Sequence, residues 1–180
     1  GQPIGEMEAL GYYVIVATAG HDTTSASTAG GLLALMQNPE QMNKLRNDLS
    51  LLPHAIEEMF RWETPVKHFL RTATEDYTLR GRSIKEGDRL MMMYASGNRD
   101  EEVFNNPFEF QVDRRPNKQI AFGYGVHRCL GHLLAKMEMS AFYKALLERT
   151  TDIQLNGDPA WIHATFVSGL KRLPVRFIAR

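Results

Sequence analysis

The sequence is short of three things: cysteine, net charge and long apolar segments. One cysteine occurs in 180 residues, which excludes an internal disulfide and is typical of a reducing cytoplasm. Twenty-one basic residues balance twenty-one acidic ones, so no overall field attracts nucleic acid or an anionic membrane. The longest apolar stretch, Ala9 to Ala19, is too short to span a bilayer. Glu6 and Glu8 stand where a signal peptide needs basic residues. These absences predict a soluble, cytoplasmic protein.

The lone cysteine lies in the most informative segment of the chain, residues 122–131, which read FGYGVHRCLG. A helical pattern follows it directly. Amides at the start of a helix favour the thiolate, the form that binds metals, and glycines leave room beside the sulfur for a large flat ligand. The segment therefore favours a reactive or a metal-binding role for Cys129. The alternatives are a buried structural cysteine and a zinc site formed by His127, Cys129 and His132, although structural zinc needs four ligands.

A second unusual segment lies inside a predicted long helix, which runs from about Gly5 to Met36. Residues 19–25 read AGHDTTS, and Gly, Asp, Thr and Ser are poor residues for the middle of a helix. Such local violations often mark functional sites. Because Gly20 has no side chain, we expect a notch in the helix surface at this position. A Thr hydroxyl can bond to the main-chain carbonyl one turn earlier, so we expect the helix to be loosened there. A notch beside an acid and a hydroxyl suits a small polar ligand such as dioxygen. A helix exposed at mid-length is the alternative.

Two further helices are predicted by their start signals and periodicity. Asn38 is a candidate N-cap, Pro39 suits the first helical position, and Gln41 completes a capping box. A third helix begins near residue 53 and carries Glu58 and Arg61, whose spacing places them on one face. By itself this pair is typical of a solvated helix surface.

The rest of the chain predicts short strands and one more helix. Alternating polarity and frequent turns follow residue 65, and residues 105–119 predict irregular chain. A helix is expected from the cysteine loop to about Arg149, and a closing hairpin over residues 167–178. The expected fold class is mainly α with small β-sheets, forming part of a single domain over residues 1–180.

Together, three motifs resemble those of the cytochrome P450 family. They are F-x-x-G-x-H-x-C-x-G at residues 122–131, A-G-x-D-T-T at residues 19–24 and E-x-x-R at residues 58–61. They occur in the family's order, and the resemblance covers essentially the whole chain. It implies the C-terminal portion of the cytochrome P450 fold, of the bacterial soluble type, with heme b as the cofactor.

The resemblance implies a role for each residue around the heme. Cys129 is the thiolate ligand of the iron, Phe122 packs beside the sulfur, and His127 and Arg71 contact the propionates. The complete set implied to contact the cofactor is Cys129, Phe122, Gly125, His127, Gly131, Arg71, Gly20 and Ala19.

Two further pairs of residues have roles that the resemblance implies. Asp22 and Thr23 form an acid–alcohol pair that supplies protons when dioxygen is activated. Glu58 and Arg61 are structural and tie their helix to the irregular segment before the cysteine loop. A second arginine, Arg114 or Arg115, is expected beside them, because a guanidinium group binds two carboxylate oxygens at once.

The implied activity is that of a heme-thiolate monooxygenase, which inserts one oxygen atom from O2 into a hydrophobic small molecule. The residues expected to face the substrate are Thr18, Val66, Phe69, Phe166 and Val167. Their largely apolar character fits a terpenoid, a steroid or a fatty chain. A heme-thiolate peroxygenase or isomerase, which needs no redox partner, and a non-catalytic truncated remnant are the alternatives.

The electron donor implied by the resemblance is a ferredoxin, because residues 169–177, GLKRLPVRF, resemble bacterial members that use one. This donor is acidic, so a basic patch is expected on the cysteine side. The candidate residues are Arg114, Arg115, Lys118, Arg128 and Lys136, and an ordinary solvated surface is the alternative.

Family members carry a long N-terminal portion before the helix that holds the A-G-x-D-T-T motif, whereas this sequence starts almost on that helix. The chain is therefore expected to be a fragment, or to have its N-terminal half supplied by another chain. In either case the apolar surface of the first helix, around residues 8 to 20, is expected to lack neighbours within these 180 residues.

Overall fold

The computed structural model describes residues 3–180, in which helices form the body and short strands surround it. The helices are α1 (Glu6–Gln37), α2 (Pro39–Asn47), α3 (Leu52–Glu63), α4 (Tyr94–Gly97) and α5 (His132–Arg149). The strands are β1 (His68–Thr72), β2 (Tyr77–Leu79), β3 (Arg82–Ile84), β4 (Arg89–Met93), β5 (Thr150–Leu155), β6 (Ala160–Trp161), β7 (Leu170–Arg172) and β8 (Val175–Ala179). The predicted class, mainly α with small β-sheets, is confirmed.

Helix α1 is continuous through the polar segment in its middle. Thr23 Oγ1 donates to Ala19 O at 2.8 Å, the local bond that the sequence predicts. A carbonyl oxygen has two lone pairs and can accept this hydroxyl together with a helical amide. The expectation of a loosened helix was therefore wrong.

The two halves of α1 differ in burial. In its first half the apolar side chains are exposed, as expected: among them are Met7, Leu10, Tyr12, Tyr13, Val14, Ile15 and Val16. In its second half, Gly30 and Gly31 let α3 and α5 approach closely. A Cβ atom on Gly31 would lie 2.7 Å from Met59 Cγ and from Tyr143 Oη. No helix formed by residues 3–180 combines the length and apolar character needed to cross a bilayer.

The core lies where the second half of α1 meets α2, α3 and α5. In α2, α3 and α5 the buried apolar residues recur every three or four positions and form a stripe, whereas α1 is buried on all sides over residues 30–35. The fully buried apolar side chains at the centre are Leu35, Leu45, Ala55, Met59, Val112, Met139 and Tyr143.

The capping box predicted at the start of α2 is not formed. Asn38 Nδ2 donates to Ala34 O at 2.8 Å, so this side chain serves the end of α1. Gln41 Oε1 accepts a hydrogen bond from Val112 N at 3.0 Å. The Gln41 side chain therefore binds a distant main-chain amide, that of Val112, and not the start of its own helix.

The strands of the described residues pair as four antiparallel two-stranded sheets: β1 with β4, β2 with β3, β5 with β8, and β6 with β7. The hairpin expected over residues 167–178 is wrong, because β7 and β8 pair with earlier strands. Leu173 and Pro174, which join β7 to β8, lack the left-handed conformations that a tight hairpin turn requires.

Candidate active site

The cysteine loop, residues 122–131, is a compact turn held by its own main chain. Cys129 N donates to Phe122 O at 2.8 Å, and Arg128 N donates to Gly125 O at 3.1 Å. Gly123 and Gly125 have φ angles of 69° and 67°, in the left-handed region that other residues adopt only under strain. The backbone of the loop therefore requires glycine at position 125 of the motif and at position 123 beside it.

The thiol of Cys129 is free and exposed, three residues before the first residue of α5. Gly131 is the N-cap of α5 and supplies no side-chain cap, so the first amides of the helix remain open toward the loop. His132 Nδ1 is bonded to Cys129 O at 2.8 Å. This arrangement leaves the sulfur accessible to a ligand.

The cysteine loop and the first turn of α5 carry exposed apolar side chains. Val126 is 97% exposed, and Tyr124, Leu130, Leu133 and Leu134 are also exposed. A Cβ atom on Gly125 or Gly131 would meet no atom within 4 Å, so there is open space above the loop. One soft donor beside an open apolar surface fits a large flat ligand that carries its own metal, such as heme. The zinc alternative fails, because residues 3–180 contain no cluster of three metal-binding side chains.

Phe122 anchors the loop to α3. Its ring centroid lies 4.4 Å from that of Phe60, and Lys136 Nζ lies 5.3 Å from it. Phe122 O also accepts the amide of Cys129, so the main chain joins the two residues. Because Phe60 is buried in the core and its ring packs against Phe122, it holds the start of the cysteine loop in place.

A chain of aromatic rings connects the cysteine loop with the segments expected to face the substrate. A Cβ atom on Gly123 would lie 3.4 Å from Tyr94 Oη, and the Tyr94 ring lies 5.9 Å from that of Phe69. Phe69 in turn lies 5.4 Å from Phe166. Four of the five predicted pocket residues therefore belong to one assembly, because Val66 also pairs with Val167 in a β-bridge.

The same assembly contacts α1 close to its polar segment. A Cβ atom on Gly169 would overlap the side chain of Ala26, which lies one turn after the Asp22–Thr23 pair. Asp22 Oδ1 is 2.7 Å from His21 Nδ1, and both side chains are exposed. The space beside Gly20 is open, since a Cβ atom there would meet nothing within 4 Å, and the same is true of Gly11 on the exposed half of this helix.

Three predicted residues make only local contacts. Thr18 is exposed and its Oγ1 donates to Val14 O at 2.8 Å. Arg71 is half-buried on β1, with Nη1 donating to Leu70 O at 2.9 Å. His127 is exposed at the end of the 3₁₀ turn Gly125–His127.

The Glu58–Arg61 pair is the centre of a fully buried polar network, which overturns the solvated-surface alternative. Glu58 accepts from Arg61 Nε and Nη2, both at 2.7 Å, and from Arg114 Nε at 3.0 Å. Arg61 also donates to the main-chain carbonyls of Asn98 and Pro107, each at 2.8 Å. Arg114 is thus the second arginine, and the network ties α3 to residues 98–114.

Two residues that contact this network were not predicted from the sequence. Asn98 is fully buried, and its side chain donates to Thr64 Oγ1 and accepts from Ile120 N, each at 2.8 Å. Arg99 stacks on the Trp62 ring at 4.5 Å. Burial, followed by repulsion from Arg61, lowers the pKa of Arg99 to about 10. The only signal was the polar triplet at residues 98–100, which follows the short helix α4.

The expected basic patch is smaller than predicted. Arg114 is buried on Glu58, and Lys136 pairs with Glu57, so neither is free for an acidic partner. Arg115, Lys118 and Arg128 are exposed. The sequence could not separate the two cases, because an arginine or lysine in a buried ion pair has the same charge as one on the surface. Only the fold shows which carboxylates lie nearby.

Comparison with known proteins assigns this architecture to one family. Residues 6–159 match the family model described as Cytochrome P450. The chain is 49% identical to cytochrome P450-terp of a Pseudomonas species over 166 residues, which is 92% of this chain and 39% of that protein. It is 39% identical to steroid C26-monooxygenase of Mycolicibacterium smegmatis over 179 residues, covering 98% of this chain and 45% of that protein.

Solved structures agree in fold. CYP108D1 from Novosphingobium aromaticivorans superposes with a TM-score of 0.93 at 45% identity, covering 100% of this chain and 44% of that one. CYP109E1 from Bacillus megaterium in complex with corticosterone superposes with a TM-score of 0.93 at 34% identity, covering 98% and 48%. The chain therefore spans less than half the length of each of these relatives.

Proposed function

The chain belongs to the cytochrome P450 family, and we propose that it is the C-terminal part of a heme-thiolate monooxygenase. The activity is the insertion of one oxygen atom from O2 into a hydrophobic small molecule. The observation that carries this proposal is the exposed Cys129 thiol, held in a glycine turn before α5 and bordered by exposed apolar side chains. Within residues 3–180, only this thiol combines a soft donor with an open apolar surface.

The residues of the cysteine loop are suited to hold heme b, the cofactor of the family. Cys129 Sγ would be the axial ligand, and Gly125 and Gly131 leave the space that the macrocycle needs. His127 and Arg71 would be the partners of the propionates, since both can carry positive charge. When bound, heme supplies the redox chemistry that activates dioxygen.

Proton supply is assigned to the polar segment of α1. Thr23 Oγ1 donates to Ala19 O in the structure, and rotation about χ1 would release this hydroxyl toward the open space beside Gly20. Asp22 is exposed and so exchanges protons with solvent. Adjacent side chains of a helix do not face each other, so Asp22 would return a proton to the site that Thr23 serves through water.

The proposed substrate is a terpenoid, a steroid or a fatty chain. Val66, Phe69, Phe166 and Val167 form an apolar assembly next to α1 and the cysteine loop. Such a surface binds apolar molecules by excluding water and gives few directional contacts. The names of the relatives agree, since one is a steroid C26-monooxygenase and one solved structure contains corticosterone.

The proposed electron donor is a ferredoxin, which would meet the exposed Arg115, Lys118 and Arg128. We place the protein in the cytoplasm. The remaining part of the fold, on the same chain or on another, would cover the exposed apolar residues in the first half of α1.

The decisive experiment is an absorption spectrum of the heme-loaded full-length protein, reduced with dithionite under carbon monoxide. A strongly red-shifted Soret band reports a thiolate ligand and supports the proposal. A Soret band at the position typical of a histidine ligand, or no band at all, contradicts it. His132→Ala is the matched control, because it changes a residue bonded to Cys129 O without touching the sulfur.

A further inference from the structure

Two neighbouring glutamates of α3 contact different parts of the molecule. Glu58 is the centre of the buried arginine network, whereas the next residue, Glu57, is only half-buried. Adjacent residues of a helix do not share a face. The partners of Glu57, which are Gln119 and Lys136, lie outside that network, one on each side of the cysteine loop. The structural role of Glu58 therefore does not account for Glu57.

One carboxyl oxygen of Glu57 binds the chain that leads into the cysteine loop. Gln119 Nε2 donates to Glu57 Oε2 at 2.9 Å. The oxygen of the same side-chain amide, Gln119 Oε1, accepts a hydrogen bond from Ala121 N at 2.7 Å. This part of the chain is irregular, so no helix or sheet fixes its main chain. The two hydrogen bonds of Gln119 therefore hold the residues just before Phe122 against α3.

The other carboxyl oxygen of Glu57 binds the helix that follows the cysteine loop. Lys136 Nζ, in the second turn of α5, donates to Glu57 Oε1. The Lys136 side chain is 24% exposed and that of Glu57 is 28% exposed, so water screens this ion pair less than one on the surface. The Lys136 ammonium group also lies 5.3 Å from the centre of the Phe122 ring, within range of a cation–π interaction. Lys136 thus contacts both α3 and the first residue of the loop.

Direct contacts connect Glu57 with the main chain of the cysteine. Lys136, the partner of Glu57, contacts the Phe122 ring, and Phe122 O accepts a hydrogen bond from Cys129 N at 2.8 Å. Displacing either side of the loop would therefore move the main-chain groups that carry the Cys129 thiol. A carboxylate can bind both sides at once, because each of its oxygens accepts hydrogen bonds independently.

We propose that Glu57 is a positioning residue: its carboxylate holds both sides of the cysteine loop against α3 and so keeps Cys129 Sγ where it can bind the heme iron. This role rests on the proposed monooxygenase function, because Cys129 is the proposed ligand of the iron. Each side of the loop depends on the same carboxylate, so removing Glu57 should have a larger effect than removing either of its partners.

The first test is hydrogen–deuterium exchange of the full-length protein, followed by mass spectrometry. In Glu57→Ala the amides of residues 122–131 should exchange about tenfold faster, the size of one hydrogen bond to a charged group. Peptides of β5 and β8 should exchange at an unchanged rate, because the effect is local. Unchanged exchange at residues 122–131, or an equal increase in β5 and β8, would overturn the proposal.

Two further variants make this test specific. Lys136→Met keeps the apolar part of the side chain and removes the charge, so exchange at residues 122–131 should rise about threefold, the size of a partly exposed ion pair. This mild change keeps the test decisive if Glu57→Ala does not fold, since an unchanged rate in Lys136→Met would also overturn the proposal. Glu138→Ala is the matched control, because Glu138 is an exposed acid on the same helix α5, and the exchange rate should not change.

The second test follows the thiolate band of the reduced CO complex in the heme-loaded full-length protein, because this band reports the iron ligand and not the fold. In Glu57→Ala the band should be lost about tenfold faster than in the unsubstituted protein. Adding Lys136→Met to Glu57→Ala should change this rate by less than about twofold, since both substitutions remove the same contact. A rate of loss that does not depend on Glu57, or fully additive effects, would contradict the positioning role.

The two readouts separate this proposal from the monooxygenase proposal. Amide exchange at residues 122–131 can be measured whether or not a thiolate band is found. Exchange that depends on Glu57 in a protein without a thiolate band would refute the proposed function and leave the contacts of Glu57 with the loop standing. A thiolate band, combined with exchange and band loss that do not depend on Glu57, would refute the positioning role alone.

Discussion

Replacing Glu58 by Gln is expected to destabilise the protein strongly, although the two side chains have the same shape. Glu58 accepts hydrogen bonds from Arg61, Arg114, the Gln111 amide and Asn117 Nδ2. In Glu58→Gln one oxygen becomes an NH2 group that faces these donors. The negative charge between the two guanidinium groups is lost as well.

The magnitude follows from the burial of the charges that remain. Arg61 is 0% exposed and Arg114 is 5% exposed, so neither can recover its hydration when the carboxylate is removed. Breaking a buried ion pair in this way costs about 3–5 kcal/mol. In the full-length protein this corresponds to a decrease in Tm of several degrees.

The assay is urea and thermal unfolding of the full-length protein, followed by circular dichroism and by tryptophan fluorescence. Trp62 is a suitable probe because Arg61 and Arg99 pack on its ring. Glu102→Gln is the matched control, since the Arg80–Glu102 pair is well exposed and its loss should leave the midpoint unchanged. If Glu58→Gln and Glu102→Gln unfold at the same midpoint, the buried network does not stabilise the fold and the reasoning is refuted.

Three further predictions concern the cysteine, the proton pair and the exposed helix. Cys129→Ser should lose heme or the thiolate CO spectrum, because a hydroxyl is a much weaker ligand; an unchanged spectrum would rule out Cys129. Thr23→Ala should keep its fold and heme but consume reducing equivalents with peroxide in place of product, since the proton donor is missing. Measured coupling equal to that of the unsubstituted protein would move this role to Thr24 or to water. The 180-residue chain by itself should bind a hydrophobic dye and associate, because Tyr12, Val14 and Val16 are exposed. A monodisperse chain that binds no dye would contradict this.

Local chemistry explains why much of the site could be predicted from the sequence. The turn before α5 needs glycines at positive φ, and Gly123 and Gly125 therefore indicate a turn from the local sequence. The helix bounds also follow local signals: α1 was expected over residues 5–36 and is found at Glu6–Gln37, because Pro39 begins the next helix. The cysteine motif and the polar segment of α1 are also short runs of residues. They can be recognised from the sequence because neither depends on a distant contact.

Partner choice, by contrast, was decided by the tertiary structure. Gln41 binds Val112 N instead of capping its own helix, and Arg114 serves Glu58 instead of an exposed basic patch. β8 pairs with β5, which precedes it by about twenty residues, and not with its neighbour β7. In each case a side chain or strand had two chemically acceptable partners. It binds the one that the fold brings within hydrogen-bond distance.

The sequence by itself determined the family motifs, the helices and the identity of the cysteine that can bind a metal, because each depends on residues close together in the chain. Only the tertiary structure decided that Glu58 and Glu63, five positions apart on one helix, have different surroundings. Glu58 meets two guanidinium groups from α3 and residue 114, whereas Glu63 enters the gap between Gly30 and Gly169. The physical reason is that the cost of burying a charge depends on which distant groups the fold brings within hydrogen-bond distance.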